Sequence, residues 1–393
     1  MALSRRTFIQ GAGAAGCGIA LFPACETNNI TPLESGVTFP FLIPVNTADQ
    51  GERNLDNASF FRQWGAVLGQ VELSGRPWEF GNIPVVAPDE WSMLFDGLVD
   101  QTAEIDLPTL QSFPSRKIVM TMRCVIDDPN SLPGLIGTAT FTGVPVRTIL
   151  DALGVRPEVR RFRIYARDNF TNNLRMEEVM NAPGLGRLDP MLAWLMNDEP
   201  LIHPHGGPVR LVVPGEYGFK SVKFVDRIEA TDNDEVFGSY QSGAGFADDG
   251  SIQIVNKVTN PARQSTVDTI DGRFTGFGYA IAGNQPIAEV EYSLDGGPFE
   301  RCDLLTRDQV LQAEPLLRDT VQFSGGNTSY PLAGVWALFQ FTVDLTPGQH
   351  TMVFRAFDAQ GNMQPAEDPD SADGQSEWFR VTFQAQEADL VPA

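Results

Sequence analysis

The amino-acid sequence predicts a mixed α+β body followed by an all-β sandwich. Up to about residue 255, apolar strands alternate with short amphipathic helices. From about residue 265, segments with a polar/apolar period of two recur, with turns about every ten residues. The composition supports this order, because 37 Gly, 28 Pro and 26 Phe, with 42% hydrophobic residues, are typical of a turn-rich globular protein.

The α+β body is predicted from seven periodic segments. Asp106 caps a short helix with Pro108 in its first turn, and Gly154 closes an amphipathic helix that begins at Pro145. A buried strand ends at Pro214-Gly215. The predicted strands are 91–99, 117–124, 209–213 and 222–230, and the predicted helices are 106–111, 145–153 and 191–196.

The sandwich is predicted from alternating strands that end in turns rich in Gly. Asp295-Gly296 follows the first of them and is a typical hairpin turn. No segment with a helical period and useful length is predicted between these strands. They span residues 287–293, 339–345 and 350–356.

The N-terminus resembles an export signal. Arg5 and Arg6 precede an apolar, Gly/Ala-rich run to Ala24, which indicates a twin-arginine signal over residues 1–24. Cys25 follows a small residue, so it is a candidate for lipid attachment, with ordinary signal cleavage as the alternative. The pattern G-x-G-x-x-G at 11–16 lacks a preceding strand, which argues against a dinucleotide site.

Composition also excludes several classes. The formal charge is −22 from 28 Lys+Arg and 50 Asp+Glu, the wrong sign for neutralising nucleic-acid phosphates. With three His and four Cys, and no C-x-x-C-H motif, the chain lacks the residues for a zinc ribbon, a covalent haem or a four-Cys iron–sulfur site in the mature body.

Two stretches carry candidate chemistry. Cys124 ends the strongly apolar strand at 117–124 beside Arg123; it is either a reactive thiolate, a buried structural thiol or the partner of Cys302 in a disulfide. The second stretch, 203–223, concentrates His and cations around Gly-rich turns in an otherwise acidic chain. Such turns with Arg and Lys favour an anion such as a phosphate-bearing cofactor, and the alternative is a pair of surface turns.

These stretches together resemble the sulfite oxidase superfamily. The motifs are Met122-Arg123-Cys124, Gly137 to Pro145, Leu192 to Leu201 and His205 to Lys223; the tail is similar to the dimerisation domain of that family at 290–297 and 354–365. The resemblance implies a molybdenum-cofactor domain over 86–255 and an immunoglobulin-like dimerisation domain over 265–393, after a linker over 25–85.

The resemblance also implies a molybdenum–molybdopterin cofactor. Cys124 occupies the position of the metal-binding thiolate, which suits a redox-active metal because sulfur is a soft ligand. The remaining candidates for binding the pterin and its phosphate are Arg123, His205, Arg210, Lys220, Ser221 and Lys223.

The sequence departs from sulfite oxidases directly after Cys124. Asp127 and Asp128 stand where that family has cations, and they are candidate catalytic residues. Each like-charge contact at ~4 Å would cost about 4 kcal/mol at an effective dielectric of ~20, so these carboxylates disfavour sulfite. Arg163 or Arg167 could substitute for the missing cations.

The expected function is that of an exported, periplasmic or envelope-associated oxidoreductase. It would transfer an oxygen atom to or from a small oxyanion, an S-oxide or an N-oxide. Electrons would pass to or from a separate cytochrome or quinone-linked protein, and the sandwich would form a homodimer. The alternatives are a non-catalytic surface lipoprotein that keeps the scaffold and a plain β-sandwich binding module. The substrate and the direction of the reaction stay open.

Overall fold

The structure is a computed structural model that describes residues 29–30, 39–40, 85–128, 136–368 and 370–388. The predicted signal at 1–24, Cys25 and most of the linker at 25–85 lie outside the described residues. Two short strands, β1 (Asn29–Ile30) and β2 (Phe39–Pro40), pair antiparallel.

The N-terminal half consists of two five-stranded sheets with short helices. One sheet has the order β10-β9-β6-β5, with β11 paired to β9, and the other has the order β4-β3-β12-β7-β8. Its strands are β3 (Ser92–Gly97), β4 (Ala103–Asp106), β5 (Arg116–Arg123), β6 (Ile136–Pro145), β7 (Arg161–Ala166), β8 (Thr171–Arg175), β9 (Met191–Met196), β10 (Glu199–Pro200), β11 (Arg210–Val212) and β12 (Val225–Thr231). The α-helices are α1 (Leu107–Ser112), α2 (Val146–Leu153), α3 (Met176–Met180) and α4 (Gln241–Ala244).

The C-terminal half is a sandwich of two antiparallel-rich sheets. Their orders are β13-β15-β19-β18 and β14-β21-β20-β16-β17. The strands are β13 (Val255–Asn260), β14 (Thr266–Thr269), β15 (Arg273–Ile281), β16 (Ile287–Leu294), β17 (Phe299–Arg301), β18 (Asp303–Leu304), β19 (Ala337–Asp344), β20 (Gly348–Asp358) and β21 (Phe379–Glu387). One further helix, α5, spans Arg307–Ala313.

The core of the sandwich is built from strands in which buried and exposed side chains alternate. Every second residue of β20 is buried from His350 to Asp358, so one face of the strand packs inward. Phe354 lies at its centre, with its ring 5.1 Å from that of Phe341 and 6.1 Å from that of Phe339. Burying such aromatic side chains is the main stabilising contribution of this half.

Strand β5 connects the two halves. Its middle residues are buried, and Thr121 lies within it: the Thr121 amide donates to the Gly334 carbonyl at 2.9 Å, and the Trp336 amide donates to the Thr121 hydroxyl at 2.9 Å. The Gln322 side chain accepts a hydrogen bond from the Val119 amide at 3.1 Å. The strand that leads to Cys124 is therefore held by residues of both halves.

Most predicted elements are present, and two predictions are wrong. Helix α1 begins after Asp106, whose carboxylate accepts from the Thr109 amide, and α2 ends at Gly154 with φ of 74°. Residues 191–196 form strand β9 rather than a helix, because this apolar run is buried between β6 and β11 and its period is ambiguous. Helix α5 interrupts the sandwich, and its capping box of Thr306 and Gln309 went unrecognised.

Of the helices that the structure describes, none has the length and apolar character needed to cross a membrane.

Candidate functional site

Cys124 lies directly after β5 at the inner end of the apolar strand. Its side chain is buried, and Sγ accepts a hydrogen bond from the Ile126 amide at 3.2 Å. Burial raises the pKa of the Cys124 thiol well above its ordinary value. The thiol stays protonated at neutral pH unless a cation stabilises the thiolate, and a bound metal ion does so. Both cysteines among the described residues, Cys124 and Cys302, are free thiols, so the disulfide alternative is excluded.

Tyr240 is a neighbour of Cys124 that the sequence analysis missed. The two groups are close enough to interact electrostatically, and burial raises the pKa of the Tyr240 phenol above its ordinary value. The Tyr240 ring stacks on Phe219 with centroids 5.4 Å apart, and Phe170 and Phe246 lie 5.6 Å from it. Tyr240 therefore brings a protonated phenol, itself packed among aromatic rings, close to the thiol.

Arg210 is a buried cation held by backbone carbonyls. It is 1% exposed, and it donates to the carbonyls of His205 at 3.0 Å and Ser221 at 2.9 Å. Its Nε has no hydrogen-bond partner, and no ion pair with a carboxylate is found for it among the described residues. Burial lowers the pKa of Arg210 to about 9. A buried guanidinium without a counter-ion from the chain favours a bound anion.

The other predicted binding residues converge on the same turn. His205 is buried and ends a short 3-10 turn at His203–His205, and Gly206 follows with φ of 92°. A Cβ at Gly206 would lie 2.8 Å from Cβ of Lys223, so the backbone passes directly against the Lys223 stem. The Ser221 hydroxyl accepts from the Val213 amide at 2.9 Å. The structure therefore brings the 205–223 residues together around Arg210.

Lys220 differs from Arg210 because carboxylates of the chain surround it. Its Nζ lies 3.9 Å from Asp248 and donates to the Asn173 carbonyl at 3.3 Å. Glu216, buried beside it, pairs with Arg187 at 3.0 Å and interacts electrostatically with Lys220. The charge of Lys220 is thus largely balanced within the protein, and its predicted cofactor contact stays a prediction.

Arg123 and Asp127 form a buried ion pair. Nε of Arg123 lies 3.1 Å from Oδ2 of Asp127, and both side chains are at most 3% exposed. Lys257 faces the same region, since Asp127 and Asp128 raise its pKa against the lowering effect of burial. The negative charge of Asp127 is therefore compensated, which weakens the electrostatic argument against sulfite at this residue. The catalytic roles of Asp127 and Asp128, and the cofactor contact of Arg123, stay predictions.

Arg163 and Arg167, named as substitutes for the missing cations, have other contacts. The Arg163 guanidinium lies over the Phe237 ring at 4.9 Å, and Arg167 donates to the Ser92 carbonyl at 2.8 Å. Their Nε atoms are buried without hydrogen-bond partners. Neither contact involves Cys124.

The donor set fits a cofactor that combines a metal able to bind a thiolate with an anionic group. Within the described ranges no cluster of three or more His, Cys, Asp or Glu side chains could hold a metal ion. The described residues instead offer the buried thiol of Cys124, and the buried Arg210 has an unsatisfied Nε near a Gly turn. A metal whose other ligands come from an organic phosphate-bearing molecule matches this arrangement.

Two family profiles match the chain in succession. The profile described as oxidoreductase molybdopterin binding domain covers residues 80–238, and that described as Mo-co oxidoreductase dimerisation domain covers residues 250–386. The chain belongs to the molybdopterin-binding oxidoreductases of the sulfite oxidase superfamily. The predicted family, fold class and cofactor are thereby confirmed.

Relatives and solved structures agree with this family. Sulfite oxidase from Gallus gallus is 26% identical over 317 residues, which cover 72% of this chain and 65% of that protein. A nitrate reductase [NADH] from Brassica napus is 27% identical over 279 residues, covering 57% of this chain and 30% of that protein. The sulfane dehydrogenase SoxCD from Paracoccus pantotrophus superposes with a TM-score of 0.57 at 22% identity, covering 72% of this chain and 71% of that one. The chain thus spans less than two thirds of either curated relative.

Proposed function

We propose that this protein transfers an oxygen atom to or from a small substrate at a molybdenum cofactor and exchanges electrons with a separate protein. The proposal rests on two features of a chain of this family, the buried thiol of Cys124 and the buried Arg210, for which the described residues provide no carboxylate partner. The bound cofactor would supply the two-electron redox chemistry of the transfer. The described residues would then bind the cofactor, orient the substrate and shield both from water.

Each side chain has a role that follows from its surroundings. Cys124 would provide the protein's thiolate ligand to the metal, since it is the buried soft donor at the site. Arg210, with Lys223 and His205 on the same turn, would hold the phosphate end of the pterin. Tyr240 keeps its proton because burial raises its pKa, so it can donate a hydrogen bond to a substrate oxygen.

We favour an uncharged S-oxide or N-oxide over sulfite as the substrate. The support is Tyr240, which lies near Cys124 and packs against Phe170, Phe219 and Phe246, so it contributes apolar contact area and an uncharged hydrogen-bond donor. Sulfite, a dianion, would need compensating positive charge in the pocket. Arg163 and Arg167 are engaged with Phe237 and Ser92 instead.

The proposal also includes the electron-transfer partner and the cellular location of the protein. The formal charge of −22 would attract a basic cytochrome and speed its association at low ionic strength, with a quinone-linked membrane protein as the alternative. The Arg5-Arg6 signal supports export to the periplasm or cell envelope, and Cys25 supports a lipid anchor. A homodimer through the C-terminal sandwich is proposed from the family profile.

Metal analysis and a substrate panel test the function together. The purified protein should contain about one molybdenum per chain and should reduce S-oxides or N-oxides with a dye as electron donor. Oxidation of sulfite at micromolar KM would contradict the substrate assignment. Absence of molybdenum would favour the non-catalytic lipoprotein.

A carboxylate double variant tests whether Asp127 and Asp128 affect the substrate. If they face the substrate, Asp127→Asn with Asp128→Asn lowers the KM for sulfite at low salt, and the gain shrinks as salt screens the charges. Asp151→Asn with Glu158→Gln removes the same charge from exposed positions in the N-terminal half and serves as the control. An equal effect of both double variants would assign the change to overall charge alone.

A further inference from the structure

Arg123 connects the site to the C-terminal half. Its side chain is 0% exposed, and Nη2 donates to the Gln375 carbonyl at 2.6 Å, in the connection between β20 and β21. The same nitrogen donates to the Asp127 carbonyl at 2.7 Å, while Nε contacts the Asp127 carboxylate at 3.1 Å. One guanidinium therefore ties both ends of the turn around Cys124 to the sandwich.

That turn sets the direction of the Cys124 side chain. The Asp127 amide donates to the Cys124 carbonyl at 3.1 Å, and the Ile126 amide donates to Sγ at 3.2 Å. Arg123 clamps the turn from the far side through the carboxylate and the carbonyl of Asp127. The position of the sulfur therefore depends on how firmly Arg123 is held.

The segment 372–375 holds Arg123 in place. Gly374 has φ of 93° and packs so closely on Tyr217 that a Cβ there would overlap the phenol. The Tyr217 hydroxyl accepts from Nη1 of Arg123 at 3.3 Å and from the Gln253 amide at 3.2 Å. The Ala372 carbonyl accepts from the Ala247 amide at 3.0 Å. The segment is thus fixed to the N-terminal half at three successive points.

The sandwich anchors this connection from its other side. Gln364 is fully buried, its side chain donates to the Glu377 carbonyl at 2.6 Å, and its carbonyl accepts from the Trp378 indole at 2.8 Å. The β20–β21 connection is therefore fixed to the sandwich core at one end and contacts Arg123 at Gln375, so the sandwich limits the movement of Arg123.

We propose that segment 372–375 of the C-terminal half is a positioning element for the molybdenum ligand. It fixes Arg123, and Arg123 fixes the turn that presents the Cys124 sulfur, so Arg123 is a positioning residue. The sandwich then completes the active site of its own chain. The claim rests on the proposed role of Cys124, and groups that orient a ligand typically tune both affinity and redox potential.

Gly374→Ala and Gly361→Ala form a matched pair that tests the claim without the cofactor. Both glycines lie in the β20–β21 connection with positive φ, but a Cβ at Gly361 meets open space. In cofactor-free protein, alkylation of Cys124 is followed by peptide mapping, which separates it from Cys302. Gly374→Ala should raise the rate about tenfold or more by loosening the turn, and Gly361→Ala should leave it within about twofold.

The loaded enzyme gives a second readout. Gly374→Ala and Arg123→Lys, which keeps the charge but loses the forked contacts, should shift the thiolate-to-molybdenum absorption band and the midpoint potential. Tyr217→Phe removes only the hydroxyl that Arg123 contacts and should shift both by less, which keeps the test available if a stronger variant does not fold.

Unchanged alkylation rates, together with an unchanged band and potential in all three variants, would overturn the positioning role. Equal effects of Gly374→Ala and Gly361→Ala would also overturn it, because backbone strain alone would then explain the result. A loaded wild type without a thiolate band would instead remove Cys124 as ligand, and the alkylation rates would decide the positioning claim separately.

Discussion

The two β-rich halves of the molecule differ in what they bury. In the described part of the N-terminal half the buried Asp, Glu, His, Lys and Arg side chains are Arg123, Asp127, Arg161, Glu178, Asp189, His205, Arg210, Glu216 and Lys220. In the sandwich they are Lys257, Glu314, His350 and Asp358, around a core of aromatic and aliphatic residues. Burying charge is costly unless it is paired, so its concentration in one half marks where binding and chemistry, rather than stability, determine the sequence.

The largest expected effect is at Cys124. Cys124→Ser should fold and retain the pterin, yet lose turnover, because oxygen is a harder ligand than sulfur and alters the metal's potential. Steady-state assays with the preferred oxide measure the loss. Cys302→Ser, in the sandwich core, is the control and should keep full activity. Wild-type turnover in the Cys124 variant would remove it as ligand.

Substitutions in the sandwich core should have the opposite effect, because they should lower the stability of the protein but leave its cofactor content unchanged. Phe354→Ala removes a fully buried ring that contacts Phe341, and it should lower the free energy of unfolding by about 3–5 kcal/mol. Val353→Ala, on the outward face of the same strand, should cost far less. Denaturant unfolding measures both. A Phe354 variant that keeps wild-type stability would contradict the contrast between the halves.

Substitution of Arg210 should lower the cofactor content while the protein stays folded. Arg210→Ala removes a charge-assisted contact to phosphate worth about 1.5–3 kcal/mol, so pterin content should fall roughly tenfold or more. Lys223→Ala should act in the same direction. Arg156→Ala, which breaks an exposed ion pair with Asp100, is the control. Equal pterin content in all purified variants would show that these cations serve another purpose.

The smallest effect concerns the titratable pair His350 and Asp295. Burial alone would lower the pKa of His350, but the Thr346 carbonyl at 2.8 Å and the Asp295 carboxylate at 2.7 Å raise it above its ordinary value. The stabilisation is therefore complete below the ordinary His pKa of about 6.5 and is lost as the pH rises through the raised value. The pKa of Asp295 is lowered, so its contribution is lost only as the pH falls through that lower value.

Asp295→Asn should accordingly destabilise by about 0.5–1 kcal/mol in mildly acidic solution, and the difference should shrink as the pH rises. Thermal or denaturant unfolding at several pH values measures it. Asp344→Asn, which removes an exposed partner of Arg273, should show no such pH dependence. A constant difference for Asp295→Asn across the same range would mean that the pair is not titrating.

The sequence predicted local features better than tertiary ones. The place of Cys124 at the end of an apolar strand, the α1 cap at Asp106 and the turn at Gly154 were readable because each depends on neighbouring residues. Strand β9 was mistaken for a helix, since residues buried on both faces carry no period. Tyr240 and the contact of Arg123 with Gln375 were missed because they arise only when segments distant in sequence pack together.

Molybdenum binding by Cys124, directly after β5, underlies both the proposed function and the positioning role of segment 372–375. Molybdenum X-ray absorption on the wild type and on Cys124→Ser tests it most directly, because it counts the sulfur ligands around the metal. The variant should retain molybdenum with one sulfur ligand fewer than the wild type. An unchanged sulfur count in the loaded variant, or a wild type without molybdenum, would contradict it.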